Sequence, residues 1–190
     1  MKKESIHNDI YVRLARKSLE ACIREGRRIS WEEVREELLS EESDKTAAEE
    51  GLRGRRAGAF VSVHELGMLR GCIGTIGPVY ATLADEIIEN AISASTRDPR
   101  FEPIEVSELD KLEISVDVLG DTENIDSPDQ LDVKRYGVIV TKGYKRGLLL
   151  PNLDGVDTVK QQLSIAKQKA GLRPDEDGCS LQRFEVVRHY

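Results

Sequence analysis

The sequence has no apolar run long enough to cross a membrane, and it has few cysteines. No stretch approaches the about 18 consecutive apolar residues of a spanning helix. The charged start, residues 1–5, is not followed by an apolar segment, so we expect no signal peptide. The 3 cysteines are an odd number without regular spacing, which argues against a disulfide framework and for a reducing compartment. We therefore predict a cytoplasmic protein.

Motifs for metals, nucleotides and nucleic acids are also missing. The isolated cysteines and the 3 histidines lack ligand spacing with carboxylates, so we predict no metal site and no cofactor. The glycines fit neither the P-loop nor the dinucleotide fingerprint. The net charge is −7, and the basic cluster at 53–56 has no interleaved aromatic residue for stacking. Because nucleic acids require a cationic surface, nucleic-acid binding is disfavoured.

Apolar periodicity is present along most of the chain and predicts a protein with both helices and strands. Apolar residues recur every three or four positions in the helical segments, and Ser30 with Glu33 forms a capping-box pattern at the start of the second. The polar segment 40–56 is predicted to be a surface connection with one helical turn at 46–50. The predicted helices are about 7–25, 31–39, 80–97 and 159–170.

Strands are predicted where apolar and polar residues alternate. The first two strands form a hairpin that places His64 opposite Leu69 or Met68. One face of 112–118 is polar, which is typical of an antiparallel sheet. The expected fold class is therefore α+β, with mainly antiparallel sheets covered by helices. Residues 120–132 are predicted to form a loop. The predicted strands are 58–64, 69–73, 112–118, 137–142, 147–150 and 181–190.

Glycines recur at a spacing of three in the run 69–78, where a strand gives way to a helix. A glycine within a strand indicates close approach by a ligand or by another backbone. Free amides at the start of the following helix would favour an anion such as phosphate or carboxylate. An alternative is that the glycines allow close packing of helix and sheet, while Arg97 pairs with Asp98. The candidate ligand-binding residues are Arg70, Gly71, Gly74 and Arg97.

Cys72, between these glycines, is the candidate nucleophile. A reactive cysteine needs its thiolate favoured by a cation, a histidine or a helix N terminus. Arg70 lies on the same strand face, and the helix that starts near Pro78 would direct its positive end towards the sulfur. We predict that the sulfur lies at the wall of a cleft lined by Arg70 or Arg97. His64 is too far along the hairpin for a direct dyad. The alternative is a small buried cysteine in a crowded strand.

Six segments of the chain carry a family resemblance: Leu-Arg-Gly-Cys-Ile-Gly at 69–74, Glu-Asn-Ala at 89–91, Arg-Asp-Pro-Arg-Phe at 97–101, Leu-Glu-Ile-Ser-Val at 112–116, Arg-Gly-Leu-Leu-Leu-Pro at 146–151 and Lys-Ala-Gly-Leu at 169–172. They resemble the motifs of the AMMECR-type domain family, also called AmmeMemoRadiSam system protein A. Recognisable motifs cover residues 58–172, and the plan is similar outside that span. Two features depart from the family pattern: Asn152 stands where members tend to have glutamine, and 153–158 differs locally.

The resemblance implies one domain over residues 1–190, built of two unequal, intertwined subdomains with a cleft between them. It also implies association with a Memo-type protein and a radical-SAM enzyme. Two functions remain open: an enzyme or enzyme subunit that acts through Cys72 on a small molecule or protein side chain, and a non-catalytic protein-binding module. The first requires an accessible thiol near a base, and the second requires an exposed apolar patch.

Overall fold

Helices and antiparallel strands form two units in the computed structural model, which describes residues 9–190. Residues 9–118 and 188–190 make the first unit, and 119–187 make the second. The predicted α+β class with antiparallel sheets is confirmed. Over the described residues, no helix is long and apolar enough to cross a membrane. The α-helices are α1 (Ile10–Glu25), α2 (Trp31–Ser40), α3 (Lys45–Arg53), α4 (Leu83–Thr96) and α5 (Val159–Lys169).

Eight strands among the described residues form two four-stranded sheets. The order is β2-β1-β3-β8 in the first unit's sheet and β4-β7-β5-β6 in the second sheet. The β1–β2 register places His64 opposite Leu69, which confirms that prediction. The strands are β1 (Ala59–Glu65), β2 (Met68–Gly74), β3 (Leu112–Leu119), β4 (Glu123–Ile125), β5 (Gly137–Lys142), β6 (Lys145–Leu149), β7 (Ser180–Phe184) and β8 (Val186–His189).

Polar caps fix where the first helices begin. Asp9 accepts a hydrogen bond from the Tyr11 amide, so α1 begins at Ile10, and the predicted start at residue 7 lies outside the described residues. The Glu33 carboxylate accepts from the Ser30 amide at 2.9 Å, as the capping pattern predicts for α2. The prediction of a single turn at 46–50 is wrong, because α3 is a nine-residue helix. Asp44 caps it, and fully buried Leu52 anchors it to the core.

The core of the first unit lies between α4 and one face of its sheet. Val61 and Val63 of β1 are fully buried, and the Asn90 side-chain amide of α4 donates to the Ala59 carbonyl at 3.0 Å. The Ser18 hydroxyl of α1 donates to the Ile88 carbonyl of α4 at 2.9 Å. Alternation along the strands leaves residues such as Ser62 on the opposite face of this sheet.

The second unit has a core of its own, in which α5 covers a sheet. Val138 and Val140 of β5 are fully buried with Ala166 of α5. A Cβ atom at Gly147 of β6 would lie 2.1 Å from the Ala166 carbonyl oxygen, so glycine permits this close packing.

Two sequence predictions in the second half of the chain are wrong. The predicted strand 181–190 is two strands, β7 and β8, which belong to different sheets. The break falls at Glu185, whose carbonyl accepts a hydrogen bond from the Gly120 amide at 2.9 Å. Residues 120–132, predicted as loop, contain β4 and a 3-10 turn at 128–130.

Candidate functional site

Three small polar side chains form a row across β2, β1 and β3. Cys72 is opposite Ser62, which in turn is opposite Ser115. The Ser62 hydroxyl donates to the Cys72 sulfur at 3.3 Å. All three residues are partly exposed. Because Gly71 faces α4, the next residue, Cys72, points to the opposite face of the sheet.

The neighbouring rows on this face add an ion pair and an imidazole. Asp117 is 2% exposed and accepts from Arg188 of β8 at 2.7 and 2.9 Å. These hydrogen bonds raise the pKa of Arg188 above its ordinary value. On the other side, His64 is opposite Glu113, one row away from Ser62. Diagonal neighbours of this kind lie about 7–8 Å apart, so the register supports no direct Cys72–His64 dyad.

The backbone of Cys72 is held at both of its polar groups by the loop after α4. Its amide donates to Asp98 Oδ2 at 2.9 Å, and Arg100 Nη2 donates to its carbonyl at 3.2 Å. Arg100 also donates to both oxygens of Asp98, at 2.9 and 2.6 Å. Since β2 is an edge strand, these groups would otherwise face solvent or a foreign strand. The Asp98–Arg100 pair therefore closes the edge of the sheet at Cys72.

Asp98 is the buried member of that pair. It is 4% exposed, whereas the Arg100 side chain is 54% exposed. The Arg100 guanidinium, with the amides of Cys72 and Arg100, holds the pKa of the Asp98 carboxyl well below its usual range. The cation that pairs with Asp98 is therefore Arg100 and not the predicted Arg97, which is exposed.

Arg70 is engaged in a contact network of its own. Its guanidinium donates to the Glu108 carboxylate at 2.7 and 3.1 Å. It also donates to the carbonyls of Glu102 and Pro103, at 2.7 and 3.2 Å. The pKa of Glu108 is lowered chiefly by the hydrogen bond from Arg70. Arg70 thus holds the segment 102–108 against β2, and its role in ligand binding stays a prediction.

Gly71 and Gly74 are positions of close packing. A Cβ at Gly71 would lie 2.1 Å from the Ala94 carbonyl oxygen of α4. A Cβ at Gly74 would lie 2.2 Å from the Phe60 ring and 2.6 Å from the Ala59 carbonyl oxygen. Contacts below about 3 Å are not tolerated by backbone atoms, so the packing interpretation accounts for both glycines. Their role in ligand binding stays a prediction.

The helix that follows begins later than the sequence predicts. Thr82 caps α4, which begins at Leu83 and not near residue 80. The turn of α4 that contacts Gly71 contains Ala94, eleven residues further on. At a rise of 1.5 Å per residue, Leu83 at the start of α4 and Ala94 are about 16 Å apart along the helix axis. The predicted arrangement, in which the helix N terminus faces Cys72, is therefore wrong.

The loop between β2 and α4 is instead fixed by a buried carboxylate. Glu86 is fully buried and accepts from the Thr75 hydroxyl at 2.5 Å. It also accepts from the amides of Val79 and Tyr80, each at 2.9 Å. These backbone amides were the ones expected to bind an anionic ligand, and here a protein carboxylate occupies them.

The geometry gives the Cys72 sulfur a hydroxyl donor and a fixed backbone. A hydrogen bond donated to sulfur lowers the energy of negative charge that develops there. Sequence reasoning missed Ser62, Ser115 and Asp98 as members of the site. Among the residues that the structure describes, no group of three or more His, Cys, Asp or Glu side chains could hold a metal ion.

Comparisons with known proteins agree on one family. The family model described as AMMECR1 matches residues 12–189. A protein from Thermotoga maritima is 47% identical over 180 residues, which is 94% of this chain and 96% of the relative. A Clostridium acetobutylicum protein is 46% identical over 181 residues, which is 95% of this chain but 36% of that protein. The crystal structure of an uncharacterised protein from Pyrococcus horikoshii superimposes with a TM-score of 0.80 at 30% identity, covering 95% of this chain and 89% of the other.

Proposed function

The chain belongs to the AMMECR1 family, and we propose, from the geometry around Cys72, that it is an enzyme or enzyme subunit whose nucleophile is this cysteine. Its substrate is a small molecule or a protein side chain that bears an electrophilic carbon. The observation that carries this proposal is the 3.3 Å hydrogen bond from Ser62 to the sulfur of a partly exposed cysteine. A cysteine that served only as packing would need no polar partner on its sulfur.

The fixed backbone supports the same conclusion. Asp98 and Arg100 hold the amide and the carbonyl of Cys72, so the strand cannot shift away from an incoming substrate. A nucleophile that is already oriented loses little freedom when it reacts. An ion pair between two exposed side chains adds little stability to a fold. In this pair Asp98 is buried, and it holds the backbone of one residue, Cys72.

The reaction step follows from the contacts of the sulfur. The thiol loses its proton to water, and the thiolate attacks the electrophilic carbon. As the carbon–sulfur bond forms, the bond from that carbon to its leaving group breaks, and the leaving group departs with the electron pair and takes a proton from water. Water then displaces the sulfur from the carbon, which breaks the carbon–sulfur bond and regenerates the thiolate. The Ser62 hydroxyl stabilises the negative charge on the sulfur before attack, and again when the bond breaks. We infer an anionic substrate, because Arg97 is exposed and precedes Asp98 in the chain, and a guanidinium is suited to a carboxylate or phosphate.

The proposed setting is the cytoplasm, with a Memo-type protein and a radical-SAM enzyme as partners. The resemblance of the motifs supports the partners, and the unpaired cysteines support a reducing compartment. Mixing the purified proteins and measuring their mass by light scattering tests this. We expect a complex at micromolar concentration, and three separate species would contradict the partnership.

Measuring the alkylation rate of Cys72 tests the nucleophile. In a Cys22→Ala/Cys179→Ala background, Cys72 is the only thiol. We expect iodoacetamide to modify the native protein several-fold faster than a cysteine peptide, and Ser62→Ala to slow the reaction about tenfold, since it removes one charge-stabilising donor. Ser115→Ala is the matched control, because it removes a hydroxyl from the same row. The proposal would be refuted if Cys72 were labelled only after unfolding, or if Ser62→Ala left the labelling rate unchanged.

A further inference from the structure

The turn between β1 and β2, with the start of β2, exposes three apolar side chains. Leu66 is 78% exposed, Met68 71% and Leu69 38%. Val106 is 50% exposed and lies between Glu102 and Glu108, which Arg70 of β2 contacts. We propose that these four residues form a docking surface for a partner protein whose apolar surface is edged by lysines and arginines. We call these four residues the tip surface. The inference is separate from the proposed function of Cys72.

The backbone of the turn argues that its apolar residues serve a purpose other than folding. Leu66 and Gly67 both have positive φ, 52° and 77°. A two-residue hairpin turn of this kind favours asparagine or glycine at both positions, and leucine there is strained. An asparagine at 66 would relieve the strain and remove exposed apolar surface. The sequence has leucine, which is explained if the side chain is buried by a partner.

Acidic residues edge the tip surface. Glu102, Glu105 and Asp110 are exposed, in and beside the 3-10 segment Val106–Lys111. Arg70 of β2 holds this segment against the hairpin through Glu108 and the Glu102 carbonyl. The acidic edge therefore has a fixed position beside the apolar tip.

The acidic edge determines which kind of partner can bind the tip surface. A partner with basic residues around an apolar surface would pair with the acidic edge while covering the tip, and complementary charge of this kind speeds association and selects partners. A second copy would bring a second acidic edge of Glu102, Glu105 and Asp110 to the interface, and this added like charge is unfavourable. An anionic lipid surface would meet the same repulsion.

The sequence provides a single reporter on this surface. The chain has 2 methionines, of which Met68 lies on the tip. With the methionine methyl groups labelled with carbon-13, and the Met68 signal assigned from a Met68→Leu variant, we would titrate an amphipathic helical peptide with a leucine face edged by lysines. The matched probe has glutamates in place of the lysines. We expect the Met68 signal to shift with the lysine peptide and not with the glutamate peptide.

Variants then locate the binding. Leu66→Asn/Leu69→Thr and, separately, Glu102→Gln/Glu105→Gln/Asp110→Asn should each weaken the lysine peptide at least about tenfold. Cys72→Ala should bind it unchanged, which separates this inference from the proposed function. Tyr144→Ser is the matched control, because Tyr144 is 95% exposed in a hairpin turn flanked by lysines.

Several outcomes would overturn the proposal. Equal shifts of Met68 with both peptides would remove the charge argument. Binding that survives the Leu66→Asn/Leu69→Thr change would place the peptide elsewhere on the acidic surface. Dimers in sedimentation that this variant converts to monomers would make a second copy the occupant, and flotation with phosphatidylserine vesicles that the variant abolishes would make it a membrane.

Discussion

At the scale of single residues, Gly71 marks the closest approach of helix and sheet. The Ala94 carbonyl oxygen of α4 would lie 2.1 Å from a Cβ atom at position 71. The atom in the way belongs to helix backbone, which cannot move aside as a flexible side chain could. Gly71 is thus explained by packing, and its position fixes the direction in which Cys72 points.

We expect Gly71→Ala to lower the free energy of unfolding by about 2–3 kcal/mol, because the methyl group forces α4 away from β2. Urea unfolding at neutral pH measures this. Gly77→Ala is the matched control, since a Cβ atom there meets nothing within 4 Å, and it should change the free energy by less than about 0.5 kcal/mol. Equal stability of the two variants would show that α4 does not press on β2.

At the scale of elements, β2 is an edge strand whose outer side is closed by the Asp98–Arg100 pair. The pKa of Asp98 is lowered by that pair, so the folded state favours the ionised carboxylate. A group with a depressed pKa stabilises the fold above its unfolded value, which is about 3.9 for aspartate. This stabilisation is lost as the pH falls below that value towards the folded one.

We expect Asp98→Asn to lower the free energy of unfolding by about 2–3 kcal/mol at pH 7, since it leaves a buried site without its charge-assisted hydrogen bonds. The difference from the wild-type protein should shrink as the pH falls through about 4 towards 2. Urea unfolding across this range measures the effect. Asp175→Asn is the control, because its pair with Arg173 is highly exposed. A difference that is constant with pH would show that the charge of Asp98 does not matter.

The strands around Cys72 were largely predictable from the sequence, but the pairing of Ser62 with Cys72 across β1 and β2 was not. Alternating residues predict β3, and the β1–β2 pairing of His64 with Leu69 is correct. Extended without interruption, that register would place Ser62 opposite Gly71. The structure has an irregularity between Val63 and His64, which moves the pairing by one residue. Because a one-residue shift turns side chains to the other face, only the bulge brings Ser62 to Cys72.

Elsewhere the missed elements depend on capping, burial and backbone hydrogen bonds. The segment of α3 is mostly polar, and its helix is stabilised by the Asp44 cap and the burial of Leu52. The predicted strand 181–190 has a continuous β pattern, and the change of sheet at Glu185 depends on its carbonyl bonding to the Gly120 amide. Helix α4 begins at Leu83 because Glu86 binds the preceding amides of the chain. Hydrophobic periodicity reports none of these contacts, because each is a polar cap, a backbone hydrogen bond or the burial of a single side chain.

At the scale of the whole molecule, charge limits the partners. The net charge is −7, and Arg53 of the basic cluster is paired with Glu32. We expect weak binding of any DNA or RNA, without sequence preference, at about 0.15 M salt. Fluorescence anisotropy with labelled oligonucleotides of differing sequence measures this. A sub-micromolar, sequence-selective affinity would contradict the expectation.

The two units have separate cores, and one residue reports on the first of them. Trp31 is the single tryptophan and is 2% exposed in the core of the first unit. The second unit's core is formed by other residues, such as Val138, Val140 and Ala166. Tryptophan fluorescence therefore follows unfolding of the first unit, while circular dichroism follows both.

We expect Arg188→Ala to lower the urea midpoint of the Trp31 transition by an amount equivalent to about 3 kcal/mol, because it leaves Asp117 buried without its cation. Gln162→Ala is the counterpart in the second unit, where Gln162 is fully buried and donates to the Tyr136 carbonyl at 2.7 Å. It should shift the dichroism transition and leave the Trp31 midpoint unchanged, because each unit buries its own apolar residues. If Gln162→Ala lowered the Trp31 midpoint as far as Arg188→Ala does, the two cores would unfold as one cooperative body.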